Sequence, residues 1–167
     1  MSLDEGEARA IAAYLLRRSA QRVDGSYERR PGVFAEVFHG PFDRDKEKSF
    51  GLFRAEEPVS EEAVRQFGLD LDLGERTDKF GVRFSGMIAV PDEGEYTFFL
   101  RSDDGSRLFV SGAMVLDNGG AHAAQEVMGS TTLEAGLHSI VLEYYEVAGD
   151  EELSLEWSVP GLSLIHI

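Results

Sequence analysis

Cysteine is absent from this sequence of 167 residues, which excludes disulfide bonds, thiolate nucleophiles and cysteine-ligated zinc. No apolar run approaches the length needed to cross a bilayer, so we expect no membrane insertion. Cations are scarce, because 16 Lys and Arg stand against 31 Asp and Glu, giving a formal net charge of -15. Phosphate binding depends on clustered cations, so this composition argues against a nucleic-acid partner, whereas it permits calcium.

Sequence signatures of common catalytic sites are also missing. Gly-x-Ser-x-Gly, His-Glu-x-x-His and P-loop motifs do not occur. The histidines, at His39, His122, His138 and His166, lack the spacing of metal ligands. We therefore expect a non-catalytic module rather than an enzyme.

The first residues predict a short helix. Ser2 and Glu5 fit a capping box, and small or apolar residues then recur at helical spacing, at Ala8, Ile11, Ala12 and Leu15. A helix is expected from about Asp4 to Arg18, and the run DEGEARAIAAYLLRR resembles the closing helix of a c-type cytochrome domain. The haem motif Cys-x-x-Cys-His is missing, so no haem is expected. Acidic residues before the apolar stretch are not typical of a signal peptide.

The next part of the chain is mixed in pattern. The polar stretch from Gln21 to Gly32 contains Gly and Pro breakers and is interpreted as a linker. Val33 to Phe38 is predicted as a strand, and Phe42 to Glu57 as an irregular, charged segment. Ser60 to Phe67 is predicted as a short helix with an N-terminal serine cap, and the alternating leucines of residues 69–73 fit a short strand or an extended loop.

From Phe80 onward apolar and polar residues alternate with the period of β-strands. Apolar residues share one face at Phe80, Val82, Phe84, Ile88 and Val90. Similar alternation over residues 140–145 predicts another strand, with Tyr144 facing inward and Tyr145 facing outward. Short strands separated by Gly and Asp turns predict an all-β fold, either a sandwich or a barrel.

The stretch from Tyr96 to Val115 predicts a strand, a tight acidic turn and a second strand. The turn contains Asp103, Asp104 and Gly105, and an Asp-Gly pair between alternating apolar residues is a strong β-hairpin signal. Two interpretations of the adjacent carboxylates stay open: they form the turn through bonds to their own backbone, or they bind a cation. They are poorly placed for glycoside hydrolysis, because catalytic carboxylates flank the scissile bond at about 5–9.5 Å from each other.

From about Pro31 to Pro160 the sequence resembles the PA-14 family, the β-sandwich domain of the anthrax protective antigen type. The matching segments, in chain order, are FGVRFSGMIAVPDEGEYTFFLRSDDGSRLFVSGAMVLDNGG, LEAGLHSIVLEYYE and LSLEW. The resemblance implies an antiparallel β-sandwich, here preceded by a short N-terminal α-helix. Members of this family occur in bacterial glycosidases, toxins and yeast adhesins, and several bind carbohydrate through calcium.

In the lectin-like members two adjacent aspartates, joined by a cis peptide bond, hold calcium, and the matching residues here are Asp103 and Asp104. Calcium takes about six to eight oxygen ligands, and vicinal sugar hydroxyls would complete its shell. Those members add an Asn from the loop before the last strand, whereas the loop of residues 146–152 contains none. Glu146, Asp150 or a backbone carbonyl would have to take its place.

A second loop, LDNGGAHAAQ, resembles a loop that is often found in bacterial members. Its Asp117, Asn118 and His122 are candidate ligand-binding residues, although the same residue types are typical of a structured turn. Trp157 alternates in phase with Leu153 and Leu155, which predicts a core position; the alternative is a stacking platform for a sugar ring.

The predicted domain organisation has three parts. Residues 1–25 form an N-terminal helix and linker that fit the tail of a preceding domain, residues 26–161 form the β-sandwich, and residues 162–167 resemble a sequencing-adapter scar. The resemblance implies a non-catalytic carbohydrate-binding module, with calcium as cofactor and glycan as partner, within a larger exported or cell-surface protein. Its expected localisation is extracellular, periplasmic or at the cell surface, with any signal upstream. The alternative function is a structural spacer or protein–protein interaction domain that binds neither calcium nor sugar.

Overall fold

The computed structural model describes residues 20–23, 26–29, 33–74, 76–158 and 164–166. The helix predicted for Asp4 to Arg18 lies outside these residues. Within them, the elements in chain order are β1 (Ala20–Val23), β2 (Ser26–Arg29), β3 (Val33–His39), α1 (Lys46–Ala55), β4 (Ser60–Val64), β5 (Phe80–Val90), β6 (Gly94–Asp103), β7 (Gly105–Val110), β8 (Ala113–Asn118), β9 (Gln125–Leu133), β10 (Gly136–Glu146), β11 (Glu152–Ser158) and β12 (Leu164–His166).

Two antiparallel sheets account for most of these strands. The larger sheet has six strands in the order β4-β3-β5-β10-β7-β8, and the smaller has four in the order β12-β11-β6-β9. The prediction of an all-β, antiparallel sandwich is therefore confirmed. The stretch interpreted as a linker also contains structure, because β1 pairs with β2 in a small antiparallel hairpin.

The core lies where the alternating apolar side chains of the two sheets meet. Its fully buried members include Phe80, Val82, Phe84, Tyr96, Phe98, Leu100, Leu108, Ile140, Leu142, Tyr144 and Leu155. Complete burial of one such side chain stabilises the fold by about 1.5–3 kcal/mol relative to exposure. Trp157 belongs to the same cluster and is only 6% exposed, so the predicted core position is confirmed.

Helix α1 replaces the irregular segment that was predicted for Phe42 to Glu57. Asp45 caps it, because its side chain accepts hydrogen bonds from the backbone N–H groups of Glu47 and Lys48. The prediction was wrong because the apolar face of this short helix consists of little more than Phe50 and Phe53, too few for a clear period. Among the described residues, no helix combines the length and apolar character that a membrane span requires.

The helix covers the outer face of the six-stranded sheet and so buries a second apolar cluster. Phe38, Phe42, Phe50, Phe53 and Tyr145 are its buried members. Tyr145 does face away from the core between the two sheets, as predicted. The exposure expected from that orientation is wrong, because the residue is fully buried beneath α1. Strand β10 is consequently buried on both faces from Ile140 to Glu146.

Strand β4 replaces the short helix that was predicted from Ser60 onward. It pairs with β3 in antiparallel register, with Val64 opposite Val33 and Ser60 opposite Val37. The capping signal was local, whereas the pairing is a tertiary interaction that overrides helix propensity. The leucines of residues 69–73 belong to an extended loop and pack partly against the core.

Strands β6 and β7 do not form the predicted hairpin. β6 pairs with β11 and β9 in the four-stranded sheet, whereas β7 pairs with β10 and β8 in the six-stranded sheet. Only Asp104 separates the two strands in the chain. The hairpin prediction was wrong because turn residues indicate a change of direction without specifying which sheet the next strand joins. The acidic pair therefore lies where the chain crosses from one sheet to the other.

Candidate functional site

Three carboxylates meet at this crossover. Asp103 ends β6, Asp104 follows it through a cis peptide bond, and Glu146 ends β10. Because Tyr145 is paired with Gly105 across β10 and β7, the strand register brings Glu146 close to Asp104. One carboxylate oxygen from each of the three side chains lies within 4.8 Å of the other two.

Backbone N–H groups from two loops orient the aspartates. The N–H of His122 donates to Asp104 Oδ1 at 2.7 Å, and that of Val147 donates to Asp104 Oδ2 at 2.9 Å. Asp103 Oδ2 accepts a hydrogen bond from the N–H of Ala124 at 2.9 Å. Each accepted bond leaves a second lone pair on the same oxygen, so these contacts fix the carboxylates without exhausting them as ligands.

Glu146 is the least solvated of the three acids. It is fully buried, and its Oε2 accepts a hydrogen bond from the Tyr144 hydroxyl at 2.9 Å. Its Oε1 is buried and has no hydrogen-bond partner among the described residues. Burial raises the pKa of Glu146 to about 8 and the bond from Tyr144 opposes this rise, while the charges of Asp104 and Asp103 and a side-chain hydrogen bond with Asp104 add to it. At neutral pH the proton that Glu146 retains, shared with the Asp104 side chain, offsets the cost of burying these oxygens, and a cation could take the place of that proton.

Tyr144 connects two parts of the cluster. Its hydroxyl contacts the backbone carbonyl of Asp103 as well as Glu146 Oε2. Burial and the nearby charge of Glu146 raise the pKa of Tyr144, so the hydroxyl remains a hydrogen-bond donor at ordinary pH. The inward orientation predicted for this residue places it directly beneath the acids.

The buried state of Glu146 predicts that the stability of the calcium-free protein falls with rising pH. Its folded pKa of about 8 lies above the ordinary value of 4.5, so the folded state holds this proton more tightly than the unfolded state. The contribution is complete below the ordinary pKa and is lost as pH rises through the folded pKa. The free energy of unfolding should therefore decline between about pH 5 and pH 8.

Urea unfolding in the presence of a chelator would measure this decline. Glu146→Gln cannot titrate, so the same measurement should give a flatter pH dependence for that variant. Equally steep declines in the two proteins would contradict the assignment to Glu146.

The second predicted loop lies next to the cluster, but its side chains serve mainly the protein itself. Asn118 is 2% exposed and donates to Ser102 Oγ at 2.9 Å, while its Oδ1 accepts a hydrogen bond from Gln125 at 2.8 Å. Asp117 Oδ2 forms a 2.8 Å ion pair with Lys46 of α1. Both residues thus hold the loop in place.

His122 and Asp150 differ in their relation to the cluster. His122 reaches Asp104 through its backbone N–H, while its two ring nitrogens lie near the carbonyls of Ala123 and Asn118. Asp150 is exposed and does not belong to the described carboxylate cluster. Of the two acids offered as substitutes for the missing Asn, only Glu146 is brought to the aspartates.

The cluster suits a hard divalent cation. Calcium prefers carboxylate and carbonyl oxygens, and the three acids here converge from two strand ends and the crossover between them. No sulfur or imidazole ligand takes part in the described cluster, so its chemistry differs from that of a typical zinc site. Asp103, Asp104 and Glu146 therefore fit calcium.

Comparison with known proteins gives a family match. A sequence model of the family described as PA14 domain matches residues 57–164. Anti-sigma-I factor RsgI3 of Acetivibrio thermocellus is 34% identical over 98 residues, which cover 54% of this chain. The chain spans only 15% of that curated relative.

Solved structures share the fold. A PA14 sugar-binding domain from an RTX adhesin has a TM-score of 0.67 at 23% identity, with 82% of this chain and 94% of that chain covered. The A domain of Epithelial Adhesin 9 from Candida glabrata, in complex with Galb1-4GlcNAc, has a TM-score of 0.59 at 10% identity. That match covers 81% of this chain and 85% of the adhesin domain.

Proposed function

The chain belongs to the PA14 domain family, and from this premise we propose that it is a carbohydrate-binding module whose calcium ion is held by Asp103, Asp104 and Glu146. The observation that carries the proposal is the convergence of these carboxylates, with oxygens within 4.8 Å of one another. The buried Oε1 of Glu146 supports it, because no N–H or O–H donor among the described residues is hydrogen-bonded to this oxygen and calcium could replace the proton that Glu146 shares with Asp104.

Glu146 would take the place of the Asn that is absent from the loop of residues 146–152. A carboxylate adds a third negative charge once its proton is released, which strengthens attraction for the ion, whereas without the ion the raised pKa keeps Glu146 mostly protonated at neutral pH. Three carboxylate groups leave part of a shell of about six to eight oxygens unfilled. Sugar hydroxyls, together with water or a backbone carbonyl, would complete it.

Carbohydrate as the partner is supported by two neighbours of the same fold. One is described as a sugar-binding domain of an adhesin, and the other is an adhesin domain in complex with a disaccharide. Both descriptions concern adhesins, which supports an extracellular or cell-surface location for this module as part of a longer chain. Glycan specificity would depend on the loops beside the ion.

A non-catalytic role fits the arrangement of the acids. Glycosidases place two carboxyl groups on either side of the scissile bond, about 5–9.5 Å apart. Here the oxygens lie within 4.8 Å, and two of the three acids, Asp104 and Glu146, are at most 4% exposed. They are therefore suited to hold one ion rather than to flank a substrate bond.

The second candidate function is a structural or interaction domain in which calcium, if bound, acts only on the fold. The internal hydrogen bonds of Asp103 and Asp104 favour this alternative, because they already tie three chain segments together. The similarity to Anti-sigma-I factor RsgI3 also favours this alternative, because that relative is named as a regulatory protein and the matched part, 15% of its length, would be one domain within it. Glycan binding separates the two candidates.

Calcium is expected to raise the melting temperature of the protein. Affinity in the range of about 10⁻⁴–10⁻³ M is typical of extracellular calcium modules, so about 10 mM calcium would stabilise the fold by about 1.4–2.7 kcal/mol. For a domain of this size that corresponds to a rise of about 3–10 °C. Calorimetry with calcium, followed by a glycan array with and without chelator, would measure both binding steps.

Two matched variants sharpen this experiment. Asp104→Asn removes one charge from the cluster at nearly constant shape and should abolish most of the calcium response. Asp150→Asn removes one charge from an exposed residue outside the cluster and should keep the response. The absence of both a heat of binding and a melting shift at millimolar calcium would refute the metal site. Calcium binding without glycan binding would favour the structural alternative.

A further inference from the structure

Tyr145 precedes Glu146 in β10, and its side chain lies on the opposite face of that strand from the side chain of Tyr144. It is fully buried, and its hydroxyl accepts a hydrogen bond from the N–H of Gly120 at 2.9 Å. Gly120 belongs to the loop of residues 119–124, which we call the amide loop because its N–H groups at His122 and Ala124 bond the two aspartates. The Tyr145 hydroxyl is therefore one hydrogen bond away from the segment that orients both acids.

The ring of Tyr145 also contacts the crossover itself. It is paired with Gly105, the residue after Asp104, and a methyl group added at Gly105 would overlap the Tyr145 ring and hydroxyl. Glycine at this position thus allows the aromatic ring to approach closely the backbone that follows Asp104. One side chain contacts both the crossover and the amide loop.

The aromatic cluster beneath α1 fixes the position of this ring. Phe42 stacks on Tyr145 with ring centroids 5.9 Å apart, and Phe50 meets it edge-on at 5.1 Å. These contacts need only the aromatic ring, whereas the bond to Gly120 needs the hydroxyl. Packing and positioning can therefore be separated by removing one oxygen atom.

We propose that Tyr145 is a positioning residue, whose hydroxyl sets the calcium affinity of the site by holding the amide loop against Asp103 and Asp104. This inference rests on the proposed calcium site. The hydrogen bond of the Tyr145 hydroxyl goes to Gly120 and to none of the three carboxylates, so it would act through Gly120 and the N–H groups that follow. The outer helix α1 then influences affinity through the ring that it packs against.

Tyr145→Phe tests this role, with Tyr96→Phe as the matched control. Tyr96 is an equally buried tyrosine whose hydroxyl donates to the carbonyl of Asp92 at 2.7 Å, in the turn at the opposite end of β6. Each variant loses one hydroxyl hydrogen bond, but only Tyr145→Phe loses one that bears on the amide loop. Calcium affinity by calorimetry and melting temperature in chelator would be measured for both variants and the wild type.

Tyr145→Phe should weaken calcium binding about three- to tenfold, the effect of one lost hydrogen bond, while its melting temperature in chelator stays close to that of Tyr96→Phe. Hydrogen exchange should also be faster at the amide of Gly120 in this variant, and calcium should slow it less than in the wild type. Tyr96→Phe should bind calcium as the wild type does.

Three results would overturn the inference. Equal calcium affinities of the wild type and a folded Tyr145→Phe would refute the positioning role and leave the calcium site intact. Absence of calcium binding by the wild type would refute the proposed function and this inference with it. A fall in melting temperature without a change in affinity would assign the hydroxyl a structural role only.

Discussion

Trp157→Ala is expected to cost about 3–5 kcal/mol of unfolding free energy, the usual range for truncating a buried large aromatic side chain. Trp157 is 6% exposed, stacks on Tyr96 at a centroid distance of 5.3 Å and lies 5.9 Å from Phe98. Its removal would leave a cavity between the sheets. The rings of Tyr96 and Phe98 cannot move into this cavity, because their positions are fixed by the strand that carries them. Equilibrium urea unfolding followed by circular dichroism would measure the loss.

Two control variants make this result interpretable. Trp157→Phe should cost about 1–2 kcal/mol, because it leaves a smaller cavity, and the indole Nε1 has no hydrogen-bond partner among the described residues that would be lost. Leu137→Ala, at a position 54% exposed, should change stability by less than about 0.5 kcal/mol. A cost below about 1 kcal/mol for Trp157→Ala would contradict its core role and revive the stacking-platform interpretation.

Glu143→Ala is expected to destabilise the protein by about 3–5 kcal/mol, because it leaves two arginines without their shared partner. Glu143 is 4% exposed, and its Oε1 accepts hydrogen bonds from Arg83 at 3.0 and 3.1 Å. Its Oε2 accepts one from Arg107 at 2.6 Å. Arg83 also donates to the carbonyl of Phe53 in the last turn of α1, so the loss should loosen the helix as well.

The surface pair between Lys46 and Asp117 provides the comparison. Its side chains are 42% and 36% exposed, so Lys46→Ala should cost at most about 1 kcal/mol. Thermal and urea unfolding of Glu143→Ala and Lys46→Ala would show whether losing one partner of the buried ion pair costs more stability than losing one partner of the exposed pair. If both variants lost a similarly small amount of unfolding free energy, the arginines would be sufficiently solvated to remain charged at little cost without Glu143.

The parts of the fold that could be predicted are those in which one face of a strand is buried. Alternation at Phe80, Val82 and Phe84 indicated β5 because their common face is the core. The same alternation predicts β10, but it places Tyr145 on the exposed side, because the helix α1 that covers this residue is not evident from the sequence. A covering element with two buried aromatic residues leaves little trace in the sequence.

The acids of the candidate site could be predicted from the sequence, whereas the backbone groups that orient them could not. Asp103 and Asp104 came from the family resemblance, and Glu146 was one of three alternatives that only the strand register could separate. The N–H groups of His122 and Ala124 could not be found from sequence, because every residue except proline carries one. Residue types indicate candidate ligands better than they indicate the backbone that orients them.

The passage of the chain between sheets at Asp104 has a mechanical consequence. Asp103 ends a strand of the four-stranded sheet and Glu146 ends a strand of the six-stranded sheet. An ion bound by both would therefore cross-link the two sheets at one end of the sandwich. Pulling the layers apart at that end would then require loss of the ion. In a protein that bears tension between a surface and a glycan, the free calcium concentration would set the load at which the module opens.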